Sequence, residues 1–318
     1  MRELRKDYVL DRWVLIADVR SMRPRQFKEE KTIVKEEKCF FCPGNESQTP
    51  PEIGRIPTDK PKDKGWKMRW FANKFPAVLP EGQHDIKTDN TFFTFSSGFG
   101  YHEVIVETNT HNQLWDLRKE DIKQLFKIYN ERIEDLSKRP GVSYVNVFKN
   151  HGEKAGTSIV HSHSQIIATN TIPEIVKEKV KKGTHLGRCL YCQILNIEKN
   201  SDRRCFENNS FVAFTPYASR FNFEIWVLPK RHARTLAELR DNELEDLADI
   251  MKKILTKLKE LNVSFNYYLH YAPKNQELHF QIEICPRIAV WAGFEYCSEI
   301  IINSLPPENA AKFYRDEK

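Results

Sequence analysis

The chain has 318 residues, 40% of them hydrophobic and 12% aromatic, enough apolar material to form a core and to exclude a charged, disordered chain. Its formal net charge of +6, from 50 Lys+Arg against 44 Asp+Glu, favours anionic ligands without singling out nucleic acid. The N-terminal run Met1-Arg2-Glu3-Leu4-Arg5-Lys6-Asp7 lacks the apolar stretch of a secretory signal, and no run reaches the roughly 18 apolar residues of a membrane helix, so no membrane partner and a cytoplasmic location are expected.

In chain order, the first marked feature is Cys39-Phe-Phe-Cys42, one of two Cys-x-x-Cys pairs among seven cysteines. In a reducing compartment that spacing points to metal, with a redox pair, a disulfide or plain burial as rivals. Apolar and β-branched residues at 103–107 predict a strand, and His111 follows it. Apolar residues at helical spacing over 114–136, among them Ile122, Leu125, Ile128 and Tyr129, predict a long amphipathic helix starting near Asp116 or Leu117. Further strands are expected at 143–148 and 164–168, the latter entered through His161-Ser162-His163-Ser164-Gln165. Between them, the stretch from Asn150 through Gly152, Gly156 and Thr157 to Ser158 is a turn whose hydroxyls and amides can hold phosphate oxygens.

The same order then recurs. Cys189-Leu-Tyr-Cys192 is followed by Glu224 and His232, a strand-like Phe265-Asn-Tyr-Tyr-Leu269, and His279-Phe280-Gln281. Glu103 to His111 and Glu224 to His232 each span 8 positions, and the next histidines follow after 50 and 47. This predicts two duplicated units, 1–180 and 181–318, in an α+β fold: mostly antiparallel sheet with one long helix packed on it per unit, the second helix over 236–261.

Matched histidines complete two ligand sets, Cys39, Cys42, His111 and His161, and Cys189, Cys192, His232 and His279. Thiolate and imidazole suit tetrahedral zinc, strand-borne histidines would tie each cysteine turn to the sheet, and four protein ligands leave no position for an activated water. Both sites are therefore expected to be structural. Cys205, Cys285 and Cys297 lack such partners and are expected to be buried packing.

Alternation along a strand sets His161, His163 and Gln165 on one face. With His161 given to metal, His163 stands beside it as a neutral imidazole able to attack phosphorus. A third metal ligand, or a hydrogen-bonded polar residue on the sheet face, remain open readings.

Asp11-Arg12-Trp13-Val14, Arg20-Ser21-Met22-Arg23-Pro24, Cys39 to Asn45, Asn73-Lys74-Phe75-Pro76-Ala77 and Asn150 to Gln165 together resemble the galactose-1-phosphate uridylyltransferase branch of the histidine-triad superfamily, in order and across nearly the whole chain. The resemblance implies duplicated histidine-triad-like units with the sheet as a half-barrel. It implies that His163 carries a nucleoside monophosphate covalently, that Gln165 donates to its α-phosphate, and that Ser158 donates to phosphate oxygens. Arg20, Arg23, Asn73, Phe75 and Asn150 would lie around the nucleotide or phosphates, with Gly156 and Thr157 in the phosphate turn, and Phe294 and Glu295 on the sugar side. Two zinc sites per chain, iron being an alternative at one, and a homodimer are implied as well. The superfamily's hydrolases carry a third His where Gln165 stands, which implies transfer to a second substrate; His279-Phe280-Gln281 lacks the nucleophile, so one active centre per chain is expected.

There are departures from the galactose enzymes. Ala289 stands where they carry a Lys, Ile301 where a Gln is expected, and Lys74 where an Asp is expected. The Cys189/Cys192 pair, the serines around His163 and the tail Ile302 to Glu308 are more like the family's ADP-glucose phosphorylase relatives, whose acceptor is inorganic phosphate. The expected activity is ping-pong UDP-glucose:galactose-1-phosphate uridylyl transfer, with a nucleotide-sugar and a sugar-1-phosphate as substrates. Phosphorolysis of ADP-glucose or a dinucleoside polyphosphate is the alternative. A non-catalytic zinc-dependent nucleotide- or RNA-binding protein is a third reading, weakened because no basic cluster is interleaved with aromatics.

Overall fold

The computed structural model describes residues 2–22, 39–58, 65–185 and 187–317. Strands β1 (Arg2–Lys6) and β2 (Trp13–Ala17) form a hairpin closed by Asp7, whose carboxylate accepts the Val9 and Leu10 amides and the Arg12 guanidinium. After the Cys39–Cys42 turn come β3 (Glu52–Pro57), β4 (Trp66–Ala72), the short pair β5 (Lys87–Thr88) and β6 (Thr94–Phe95), and β7 (Gly100–Val106). Helix α1 (Lys119–Ser137) leads to β8 (Tyr144–His151) and β9 (His163–Thr169). Helix α2 (Glu174–Lys182), the two-residue strands β10 (Thr184–His185) and β11 (Arg188–Cys189), and α3 (Leu190–Glu198) then precede β12 (Arg204–Glu207), β13 (Phe211–Phe214) and β14 (Ile225–Pro229). Helix α4 (Asp241–Leu261), β15 (Phe265–His270), β16 (Gln281–Pro286), α5 (Gly293–Ser298), β17 (Ile301–Asn303) and α6 (Pro307–Tyr314) complete the order.

Ten strands make one sheet, β12-β13-β14-β16-β15-β8-β9-β7-β4-β3, and every neighbouring pair in it is antiparallel. The expected α+β class with a mostly antiparallel sheet and packed helices is what the structure has. Strands from before residue 170 and after residue 203 join at β8 and β15, where Asn150 lies opposite Asn266.

One face of the sheet is apolar because alternate strand residues supply it: Val145 and Val147 on β8, Ile166 and Ala168 on β9, Ile282 and Ile284 on β16, all buried. Helices α1 and α4 cover that face with stripes at helical spacing, Ile122, Leu125, Phe126 and Tyr129 on one, Leu247, Met251, Ile254 and Leu258 on the other. Burial of each such side chain contributes about 1.5–3 kcal/mol.

Both long helices start later than the sequence pattern predicts. A 3-10 turn, Leu114–Asp116 or Leu236–Glu238, occupies the expected first turn, and the α-helices begin at Lys119 and Asp241. The reason is local: Asp116 accepts the Gln113 amide and Glu238 the Arg234 amide, closing a separate turn around buried Leu114 and Leu236. The Glu243 carboxylate then accepts the Arg240 amide and starts α4.

The opposite face carries the polar chemistry. Part of it is covered by α2, α3 and a small sheet in which β17 pairs with β2 in parallel, Ile301 opposite Val14. Arg5 on β1 reaches Glu308 of α6 at 2.9 Å and so ties the two ends of the described chain together. No helix among the described residues is long and apolar enough to cross a membrane.

Candidate active site and metal centres

The two expected ligand sets are assembled. In each, the four donor atoms lie within 4.8 Å of one another. Cys42 Sγ is 3.2 Å from His111 Nε2 and 3.7 Å from His161 Nδ1, and Cys39 Sγ is 3.5 Å from the latter. In the second set, Cys192 Sγ is 3.5 Å from His232 Nδ1 and 3.4 Å from His279 Nδ1, which is 3.9 Å from Cys189 Sγ. Tetrahedral zinc with bonds of about 2.0–2.3 Å needs donor separations of about 3.3–3.8 Å, so both sets fit.

Tautomers agree with that fit. His161 Nε2 donates to the Thr108 carbonyl at 2.8 Å and His279 Nε2 to the Pro229 carbonyl at 3.0 Å, which leaves each Nδ1 lone pair facing sulfur. Burial pushes both imidazoles down to about 4, into the neutral form that coordinates. One detail differs from expectation: none of the four histidines is on a strand. His161 and His279 stand two residues ahead of β9 and β16, while His111 and His232 lie beyond the ends of β7 and β14. A strand's pleat holds its side chains perpendicular to the sheet, whereas residues beyond the ladder are free to turn towards the cysteines.

His163, the first residue of β9, is buried. Its Nδ1 donates to the His161 carbonyl at 2.9 Å, so the lone pair belongs to Nε2, for which no partner is found among the described residues. The Phe41 ring from the first cysteine turn meets the imidazole edge to face at 5.3 Å. Burial lowers its basicity and the nearby Lys149 ammonium lowers it further, which keeps the ring neutral. The contacts of the cysteine turn and the Thr108 carbonyl therefore hold His161, and the His161 carbonyl holds the ring of His163.

Beneath the strand sits a polar group that sequence reasoning missed. Lys149 donates to Glu107, to Ser162 Oγ at 3.0 Å and to the His163 carbonyl at 3.0 Å, and Ser162 donates to Glu107 at 2.6 Å. The one signal available was a lysine at an inward position of β8, where alternation calls for an apolar residue.

Residues expected around the nucleotide are distributed unevenly. Gln165 follows His163 on the same face and is opposite Phe148 of β8; extending that register sets Asn150 level with His163. Gly152 at φ +81° and Gly156 at φ +83° bracket the turn after Asn150, conformations that L side chains rarely adopt. Within the turn, the buried Thr157 Oγ1 has no hydrogen-bond partner among the described residues, and Ser158 is exposed. Asn73 reaches His102 of β7 and holds the Phe75 amide, leaving the Phe75 ring exposed. Arg20 is exposed on the 3-10 turn Asp18–Met22, and Arg23 lies outside the described residues.

On the sugar side, Phe294 and Glu295 belong to α5, where Glu295 accepts the Ala292 amide as a cap; the contacts of the described residues do not join either to the His163 group. Cys205 and Cys285 are buried as expected, but Cys297 is exposed, because α5 buries none of its residues.

Gln281, which the repeated motif order sets against His163, is fully buried. Around it Glu283 takes Lys179 from α2, Arg220 and Tyr268, so this end of the polar face is filled with paired side chains.

Comparisons with known proteins agree with this geometry. The family model described as the N-terminal domain of galactose-1-phosphate uridyl transferase matches residues 1–173, and a domain of unknown function matches residues 94–314. The chain is 33% identical to an ADP-glucose phosphorylase of Arabidopsis thaliana over 99% of its own length and 92% of the relative. It is 28% identical to a galactose-1-phosphate uridylyltransferase of Thermotoga maritima, over 99% of its length and 98% of the relative. The crystal structure of an Arabidopsis thaliana ADP-glucose phosphorylase with bound ADP-glucose superposes with a TM-score of 0.85 at 31% identity, covering 100% of both chains. With the family model fitting more than half of it and a relative above 30% identity aligned along nearly all of it, the chain belongs to the galactose-1-phosphate uridyl transferase family.

Proposed function

We propose that this protein is a nucleotidylyltransferase acting through a nucleotidyl-His163 intermediate. The observation that carries the reading is the ring of His163, neutral, with Nδ1 spent on the His161 carbonyl and the Nε2 lone pair uncommitted. Nε2 attacks the α-phosphorus of a nucleoside diphosphate sugar; a P–N bond forms, the bridging P–O bond breaks, and sugar-1-phosphate leaves with that bond's electron pair. A phosphate oxygen of the second substrate then attacks the same phosphorus and releases His163. Gln165 and Asn150 lie where amide donors would meet the non-bridging oxygens, and the Thr157 hydroxyl is a further donor. An amide that cannot act as an acid stabilises the charge without hastening loss of the intermediate to water.

Zinc would be held by Cys39, Cys42, His111 and His161, and by Cys189, Cys192, His232 and His279, and its contribution there is structural. Residues 1–180 and 181–318 are read as two copies of one unit, of which the first keeps the nucleophile. The proposal includes a cytoplasmic homodimer; the exposed Phe75, Phe92, Phe93 and Phe95 supply apolar surface for a second copy, and sedimentation checks it.

UDP-glucose as donor and galactose-1-phosphate as acceptor is the first reading, supported by the Thermotoga maritima relative. ADP-glucose with inorganic phosphate is the second, favoured by the 33% identity to ADP-glucose phosphorylase and by Ala289, which offers no cation to a hexose phosphate. The test is a matrix of donors and acceptors with label in the α-phosphate. UDP-galactose from the first pair, or ADP and glucose-1-phosphate from the second, decides between them; no label on His163 with either donor sinks both.

A further inference from the structure

Two amides face the proposed reaction from adjacent strands, Gln165 on β9 and Asn150 on β8. An amide helps a phosphate only if its NH2 end points at it, since the carbonyl end repels the same oxygens. In both cases the orientation is set by a side chain that is itself held by a backbone group of fixed polarity.

For Gln165 that side chain is His102, on the same face of the neighbouring strand β7. The Ala77 backbone N–H donates to His102 Nδ1 at 3.0 Å, so a neutral His102 carries its proton on Nε2. That proton goes to Gln165 Oε1 at 2.8 Å. The Gln165 carbonyl is thereby committed and its NH2 remains for a ligand. Asn73, whose nitrogen is 3.1 Å from the same Nε2, finds no acceptor there and keeps its own NH2 available. For Asn150 the orienting side chain is Asn266 of β15. Its Nδ2 donates to the Ala155 backbone carbonyl at 2.9 Å, which fixes its own orientation, and also to Asn150 Oδ1 at 2.8 Å.

We infer that His102 and Asn266 are positioning residues that present the NH2 ends of Gln165 and Asn150 to the α-phosphate. Each works by occupying an amide oxygen from behind, and neither touches the substrate. Ala77 and Ala155, whose N–H and C=O cannot exchange roles, are the two anchors. The inference rests on the nucleotidyl-transfer reading and supplies the source of its donor polarity.

Four variants test it, each zinc-replete and checked for an unaltered melting temperature: His102→Phe, which fills the space without a donor; His102→Gln, whose amide can donate to Gln165; Asn266→Asp, which can only accept and so turns the Asn150 amide round; and Asn266→Ser, which keeps a donor. Single-turnover labelling of His163 is read at saturating nucleotide-sugar, beside calorimetric affinity for UMP and AMP. His102→Phe and Asn266→Asp should each label about 10- to 100-fold more slowly, somewhat less than the roughly 100- to 1000-fold cost of deleting an oriented donor because the amide is misoriented and not removed, with little change in KM. His102→Gln and Asn266→Ser should each recover a substantial part of that rate. Wild-type labelling rates in His102→Phe and Asn266→Asp overturn the inference, as do equal losses within each pair. If wild type binds nucleotide but forms no label, the transfer reading fails instead, and the orientation of the amides stands or falls on whether His102→Phe loses nucleotide affinity that His102→Gln retains.

Discussion

Lys149 offers a stringent test of how the strand that begins at His163 is supported. Its side chain is 2% exposed, that of its partner Glu107 is 0% exposed, and the same ammonium holds the His163 carbonyl and the Ser162 hydroxyl. In Lys149→Met the volume is nearly kept, but Glu107 becomes a buried carboxylate with only hydroxyl donors, Ser162 at 2.6 Å and Tyr129 at 3.5 Å. Removing one partner of a buried pair costs about 3–5 kcal/mol. For 318 residues the unfolding entropy is roughly 0.7 kcal/mol per kelvin, so the melting temperature should fall by roughly 4–7 °C. Adding Glu107→Gln removes the stranded charge, keeps a carbonyl oxygen to accept from Ser162 and turns an NH2 towards the Tyr129 hydroxyl, which can accept, and should restore about half the loss or more. Denaturation of the two variants followed by circular dichroism measures both quantities. A loss under about 1 kcal/mol in the single variant, or a double variant no more stable than the single, refutes the reasoning.

Other outcomes are expected from separate parts of the molecule. Metal analysis of zinc-replete protein should find two ions per chain, and Cys39→Ser should retain one and melt at lower temperature; metal-free wild type of full stability contradicts both sites. Thr157→Val should raise the donor KM about 2- to 10-fold with stability unchanged, because the buried hydroxyl has no partner among the described residues to lose; an unchanged KM removes it from the site. Gly152→Ala should cost more stability than Gly156→Ala: both have positive φ, but a Cβ at 152 would sit 2.3 Å from Ser264 Oγ, while at 156 nothing lies within 4 Å. Hydrogen bonding to Arg231 holds Glu243 down at about 2, so its stabilisation is present above the ordinary 4.5 and fades as pH falls towards 2; Glu243→Gln should flatten that acid limb in a denaturation series.

The metal sets were legible because few residue types coordinate zinc and the same order occurs twice, so Cys39, Cys42, His111 and His161 could be matched to Cys189, Cys192, His232 and His279 before any contact was known. The helices were legible from their stripes, but not their starts, since Arg118 and Arg240 precede them and carboxylates close a separate turn first. His102 and Asn266 were not legible at all. A polar residue at an alternate strand position reads as a solvated face, and only the register reveals that His102 meets Gln165, 63 positions on, or that Asn266 meets Asn150 across 116. Cys297 was misjudged as packing because composition says nothing of how little α5 buries.

The seam between β8 and β15 is hydrogen-bonded like the rest of the ten-stranded sheet, with Phe265 to Tyr268 registered against Phe148 to His151. A ladder of that kind resists bending within its plane, and Asn266 adds a side-chain tie across it. Opening by rotation between β8 and β15 would have to break those ladder bonds. The proposed two-step cycle requires one product to depart and another reactant to enter while the phosphorus stays bound. If that traffic runs through the peripheral loops, turnover should respond to solvent viscosity and to loop substitutions rather than to changes along the seam.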